Sequence, residues 1–158
     1  SIDSTWGGPG TSYLDRSKLL VKICKEHNVL SDGMKALELG TGWIHWYGLY
    51  LRLYYNVKVD LEDIWDNRQP EALKAAFRKL RTHLQIQNVE NLDFEALDVI
   101  CNFESLDDLY SKLDLNYYLA TDSIEFLNDE DYNCIFSFHV LEHVFRSQIK
   151  HLLTDNLL

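Results

Sequence analysis

A carboxylate, two glycines and a hydroxyl crowd the segment Glu38-Leu39-Gly40-Thr41-Gly42. Residues of these types at this spacing suit the capture of a small polar ligand. Gly40 and Gly42 lack a β-carbon, so a ligand can approach the backbone closely. A helix following such a turn offers unpaired amides to a carboxylate or phosphate. Glu38 falls near the end of an otherwise apolar run, where an unpaired carboxylate is expensive to bury. A ligand ammonium, directly or through water, would offset that cost; a hydrogen-bonding role inside the loop is the rival reading. Further along the chain, Asp60, Asp63, Asp122 with Ser123, and His139 with Glu142 and His143 are the other residues able to bind or to move a proton. Among them His139 is the best general-base candidate, although packing or lining a pocket accounts for it as well. A Gly-x-Gly turn with no ligand is common, so its weight depends on where the chain places these other residues.

The elements that must position them follow from periodicity. Residues 1–30 form a lead-in, rich in glycine around Gly7-Gly8-Pro9-Gly10, and a helix from Asp15 to His27 with Leu19, Leu20, Ile23 and Cys24 at helical spacing. Residues 31–158 form one α/β domain. Met34 to Leu39 has the form of a buried parallel strand. A helix is expected from about Ile44 to Tyr55, and a second strand from Val57 to Glu62 that stops at Asp63. Pro70 near a first helical position starts a helix whose apolar face carries Leu73, Ala76, Phe77, Leu80 and Leu84. The Lys74, Arg78, Lys79 and Arg81 face reads as solvated. Asn91 to Leu113 reads as irregular helix, with Ser105 as a cap. Tyr117 to Ala120 is expected as a third strand, Asn133 to Phe138 as a fourth, and Leu141 to Leu153 as a last helix. This order predicts an α/β, Rossmann-like fold, with a mainly parallel sheet flanked by helices. In such sheets the loops at the carboxyl ends of the strands share one edge, where ligands bind. Gly40–Gly42, Asp63, Asp122 and His139 all fall at that edge.

Composition narrows the function classes. The 158 residues and a 46% apolar share suit one core. No run approaches the roughly 20 apolar residues that span a bilayer, and a cytoplasmic protein with no membrane partner is expected. Residues 1–90 carry 12 Lys and Arg against 11 Asp and Glu, whereas residues 91–158 carry 3 against 14. Such an acidic half argues against nucleic acid as a partner and would not repel a cationic ligand. Cys24, Cys101 and Cys134 have neither metal-site spacing nor a disulfide framework, so no metal is expected and the thiols read as free.

Ala36-Leu37-Glu38-Leu39-Gly40-Thr41-Gly42 resembles the first motif of the class I S-adenosylmethionine-dependent methyltransferases. The segment from Asp131 to Val144, ending Leu141-Glu142-His143-Val144, is similar to their fourth-strand region, and Ala120-Thr121-Asp122 to the acidic turn after the third strand. The resemblance covers about Met34 to Val144. It implies S-adenosylmethionine as cofactor, S-adenosylhomocysteine as product and a small-molecule methyl acceptor. It further implies that Gly40, Thr41 and Gly42 wrap the methionine part, with Glu38 and Trp43 also among the cofactor-binding residues, that Asp63 or Asp60 accepts the ribose hydroxyls, and that Ile64 flanks the adenine, with Trp65 either beside it or in the core. Asp122 and Ser123 would meet the adenine amino group, and Phe138 and His139 the sulfonium end. Asp63 is preferred to Asp60, because a strand ending at Asp60 would have only three residues. The family's sheet has seven strands, whereas this sequence stops on the helix after the fourth, and dimer formation is one remedy for an open sheet edge. Two other readings compete: a non-catalytic binding or assembly module with the same fold, and an NAD-binding domain. The dinucleotide fingerprint's third glycine is missing, since His45 stands in its place.

Overall fold

The computed structural model describes residues 7–119 and 132–138. Asp122, Ser123, His139 and the helix expected over Leu141 to Leu153 lie outside the described residues. Within them the chain runs α1 (Thr11–Glu26), β1 (Lys35–Leu39), α2 (Trp46–Tyr54), β2 (Lys58–Asp63), α3 (Pro70–Ile86), α4 (Phe94–Asn102), α5 (Leu106–Leu113), β3 (Leu115–Leu119) and β4 (Cys134–Ser137). The four strands form one all-parallel sheet in the order β3-β2-β1-β4, flanked by helices. This is the α/β, Rossmann-like architecture that the apolar strands and intervening helices predict. The order reverses between β1 and β4, so the loops leaving these two strands open a crevice at the carboxyl edge.

Each element has a local cause. α2 is buried from Trp46 to Leu53 because it lies among the sheet, α1 and α4. Its approach to the sheet requires Gly48: a β-carbon there would come within 2.6 Å of both Glu38 Oε2 and Leu61 Cδ2. Trp46 ties α2 to its neighbours, donating to Ser17 Oγ at 2.8 Å and packing its indole 4.8 Å from the Phe77 ring of α3. α3 opens on Pro70 and buries Leu73, Ala76, Phe77, Leu80 and Leu84, together with His83. Its basic face is tied to α4, with Arg78 Nε donating to the Cys101 carbonyl at 3.0 Å and Arg81 pairing with Asp98 at 3.1 Å.

The irregular helical stretch over 91–113 resolves into two helices, the second starting at Ser105 as expected. Phe103 is extended and buried between them. The Asp93 carboxylate caps α4 at the Ala96 amide, 2.9 Å, and Ser105 Oγ caps α5 at the Asp108 amide, 3.1 Å. Asp114 then takes a left-handed conformation (φ 55°) and turns the chain straight into β3, which begins two residues earlier than the apolar pattern suggests. Among the described residues the three cysteines are free, and no helix is long and apolar enough to cross a membrane.

Candidate functional site

The Gly-rich loop leaves β1 through a series of left-handed residues: Gly40 at φ 72°, Gly42 at φ 67° and His45 at φ 49°. Such angles favour glycine and cost a side chain that must adopt them. The loop is clamped to the end of β2. The amides of Gly40 and Thr41 both donate to the Glu62 carbonyl at 2.9 Å. The Gly42 amide donates to Asp63 Oδ2 at 2.9 Å, while Asp63 Oδ1 accepts from its neighbour Ile64 at 2.8 Å. One further bond, from the Gln69 amide to the Trp43 carbonyl at 2.9 Å, joins the loop to the segment after β2.

A cavity of about 270 Å³ opens above these bonds. The loop contributes Gly40, Thr41, Gly42 and Trp43; the end of β2 contributes Glu62, Asp63, Ile64 and Trp65. Phe138 closes it after β4, and Tyr13 and Tyr47 supply an aromatic wall from α1 and α2. The Tyr47 ring is stacked between Tyr13, at 5.6 Å, and Phe138, at 4.2 Å. Among the described residues the lining carries two carboxylates and no Lys, Arg or His side chain. Among the described residues, Asn67 Oδ1 on this lining has no hydrogen-bond partner, and the buried Tyr47 hydroxyl has Arg16 as its polar neighbour. A buried acceptor such as Asn67 Oδ1 calls for a partner that the described residues do not provide.

Glu38 lies beneath the loop and does not line the cavity. It is 1% exposed, and its Oε2 accepts from Thr41 Oγ1 at 3.0 Å and from the Gly48 amide at 2.9 Å. Burial pushes its carboxyl up to about 8; these two hydrogen bonds oppose the shift, and the nearby Asp63 charge adds to it. Of the two readings of Glu38, the bonds inside the loop are the ones present. They also use the third amide of α2, so the helix start offers less to an anionic ligand than expected. Glu62 is similarly buried, which raises its carboxyl to about 7 against the opposing Gly40 amide.

The structure separates the two acids that compete for the end of β2. Asp63 lines the cavity. Asp60 is fully buried away from it, held by Lys35 Nζ at 3.2 Å, Asn116 Nδ2 at 2.9 Å and the Tyr132 hydroxyl at 2.6 Å. Gly40, Thr41, Gly42, Trp43, Asp63, Ile64 and Phe138 meet in one cavity, as the strand-edge argument requires. Sequence reasoning missed Glu62, Asn67, Tyr13 and Tyr47. Glu62 had a signal, since it adjoins Asp63; Tyr13 had none, because α1 lies outside the strand-loop-helix unit.

A shallower groove of about 420 Å³ between α1 and α2, with Lys18, Lys22, Lys25, Tyr50 and Tyr54 around it, shares no residue with this cavity. No converging strand ends or loop amides supply it. Among the described residues no group of three or more His, Cys, Asp or Glu is placed to hold a metal ion. No known protein family, curated protein or solved structure matches this chain.

Proposed function

We propose that the cavity above the Gly-rich loop binds S-adenosylmethionine, and that the chain is the cofactor-binding part of a methyltransferase acting on a small-molecule acceptor. The observation that carries this reading is the join of the β1 loop to Asp63 at the carboxyl edge of the sheet, around a cavity whose charged lining groups, among the described residues, are carboxylates. Asp63 uses one lone pair of each oxygen on backbone amides. A carboxylate has about four acceptor sites, so its remaining ones face the cavity ready for a pair of ribose hydroxyls. Trp43, Ile64 and Trp65 are exposed at the rim and supply apolar surface for a base. Asn67 Oδ1 supplies a free acceptor for an amino group.

The bound cofactor would supply a methyl group on a cationic sulfur. The described residues bind and orient it and exclude water, which is most of what an in-line displacement asks of a protein. The acidic lining supports a cation over an anion. A dinucleotide would bring a pyrophosphate to a loop whose Gly40, Thr41 and Gly42 amides are already engaged and whose walls, among the described residues, carry no basic side chain. The NAD reading is the weaker one on that ground. A cytoplasmic location is part of the same proposal.

Thermal unfolding with added ligands tests the assignment. S-adenosylhomocysteine is expected to raise the midpoint in a concentration-dependent way, as any ligand of the native state must, and NAD to leave it unchanged. The opposite pattern overturns the proposal.

A further inference from the structure

His45 stands where a dinucleotide loop would carry its third glycine. Its backbone is left-handed (φ 49°), and it is fully buried. Its ring is the centre of a hydrogen-bonded chain. Thr41 Oγ1 gives its only proton to Glu38, so at 3.0 Å from His45 Nδ1 it accepts from the ring. That assigns the proton to Nδ1 and leaves Nε2 as an acceptor. The Tyr110 hydroxyl, 2.8 Å from Nε2, therefore donates to it, and Arg68 Nη1 in turn donates to Tyr110 at 3.4 Å.

The far end of the chain is anchored as firmly. Arg68 grips Asp66 through Nε and Nη2, at 2.9 and 2.7 Å, and stacks its guanidinium 4.1 Å above the Tyr117 ring. The His45 ring is packed against Tyr110 and Tyr117, with centroids at 5.9 and 5.5 Å. The relay runs from Glu38, under the Gly-rich loop, to the segment of residues 64–69 that brings Ile64, Trp65 and Asn67 to the cavity. Neither His45 nor Tyr110 lines that cavity.

We infer that His45 and Tyr110 are positioning residues for the cofactor loop: they hold Thr41 from behind and couple it, through Arg68, to the segment carrying Trp65 and Asn67. The inference rests on the cofactor reading above. It explains why a histidine occupies a backbone position that glycine would fill without strain. A relay of this kind keeps two cavity walls in register, and small displacements of such walls weaken binding far more than the lost contacts themselves.

The test is calorimetric titration of S-adenosylhomocysteine into the full chain and into His45→Gly and Tyr110→Phe, alongside nitrogen NMR of the His45 ring. Glycine keeps the left-handed backbone and removes the bridge together with the ring's packing on Tyr110 and Tyr117; phenylalanine removes only the hydroxyl and isolates the hydrogen bond. Each variant is expected to bind about tenfold more weakly. The wild-type ring is expected to be neutral, protonated at Nδ1, and to shift on ligand binding without touching the ligand. A His45→Gly chain that binds as tightly as wild type overturns the inference, because the backbone conformation alone then suffices. If that variant does not fold, unchanged affinity in Tyr110→Phe, or a wild-type ring protonated at Nε2, overturns it. A folded wild-type chain that binds no S-adenosylhomocysteine refutes the cofactor reading and takes the positioning role with it. Loss of the effect in the variants alone refutes only the role.

Discussion

The Gly42 amide donates to the Asp63 carboxylate at 2.9 Å, joining the loop after β1 to the end of β2 across 21 residues of sequence. A single side chain thus fixes the loop and faces the cavity that the loop encloses. On the proposed cofactor reading structure and binding meet at this residue, so its removal should be felt twice. Asp63→Ala is expected to lower stability by about 2 kcal/mol, the usual scale for hydrogen bonds to a charged group, and to weaken S-adenosylhomocysteine binding at least tenfold. Urea denaturation and calorimetry on the same sample measure the two effects.

Asp60 should behave in the opposite way. Its carboxylate is buried against Lys35, Asn116 and Tyr132 and is remote from the cavity lining. Asp60→Ala is expected to cost about 3 kcal/mol, as for one partner of a buried ion pair. Affinity for S-adenosylhomocysteine in the folded fraction should stay within twofold of wild type. A large affinity loss without a stability loss would transfer the binding role from Asp63 to Asp60.

Glu38 predicts a pH signature. Its carboxyl titrates near 4.5 in the unfolded chain and near 8 in the fold, chiefly because it is buried. Between those values the native state holds more protons than the unfolded state, so this group's contribution is complete below about 4.5 and is lost as pH rises through 8. Glu38→Gln keeps an acceptor for Thr41 and Gly48 and cannot ionise. Relative to wild type it should be near neutral at pH 5 and increasingly stabilising towards pH 9, with a ceiling of about 5 kcal/mol from the size of the shift. Denaturation midpoints of both proteins across that range give the comparison. Parallel curves would mean that Glu38 is not buried as described.

Gly48 carries the packing prediction. A methyl group there would meet Glu38 Oε2 and Leu61 Cδ2 at 2.6 Å. Gly48→Ala should therefore destabilise by about 1–3 kcal/mol, the range for overpacking, despite alanine's better helix propensity. Chemical denaturation reads this directly, and an unchanged or higher midpoint would show that α2 does not sit so close to the sheet.

Much of the fold was legible because strands buried on both faces and amphipathic helices write their period into the sequence. β1, β2, α3 and β4 fall within a residue or two of where Met34–Leu39, Val57–Glu62, Pro70 and Asn133–Phe138 place them. The restart at Ser105 was legible from its capping side chain, but the end of α4 at Phe103 was not: a buried extended phenylalanine between two helices looks the same as a core position within one. The site was legible where chemistry and strand ends coincide, at Gly40–Gly42 and Asp63. It was opaque where tertiary contacts decide. Nothing local shows that Glu38 spends its oxygen on Gly48 ten residues away, or that His45 reaches Tyr110 across 65 residues.

The most direct test of the proposed cofactor site is isothermal titration of S-adenosylhomocysteine into the folded wild-type chain at neutral pH. The account predicts saturable binding with one site per chain, strongly weakened by Asp63→Ala and unaffected by excess NAD. Absence of binding by a chain shown to be folded, or displacement of the ligand by NAD, would contradict it.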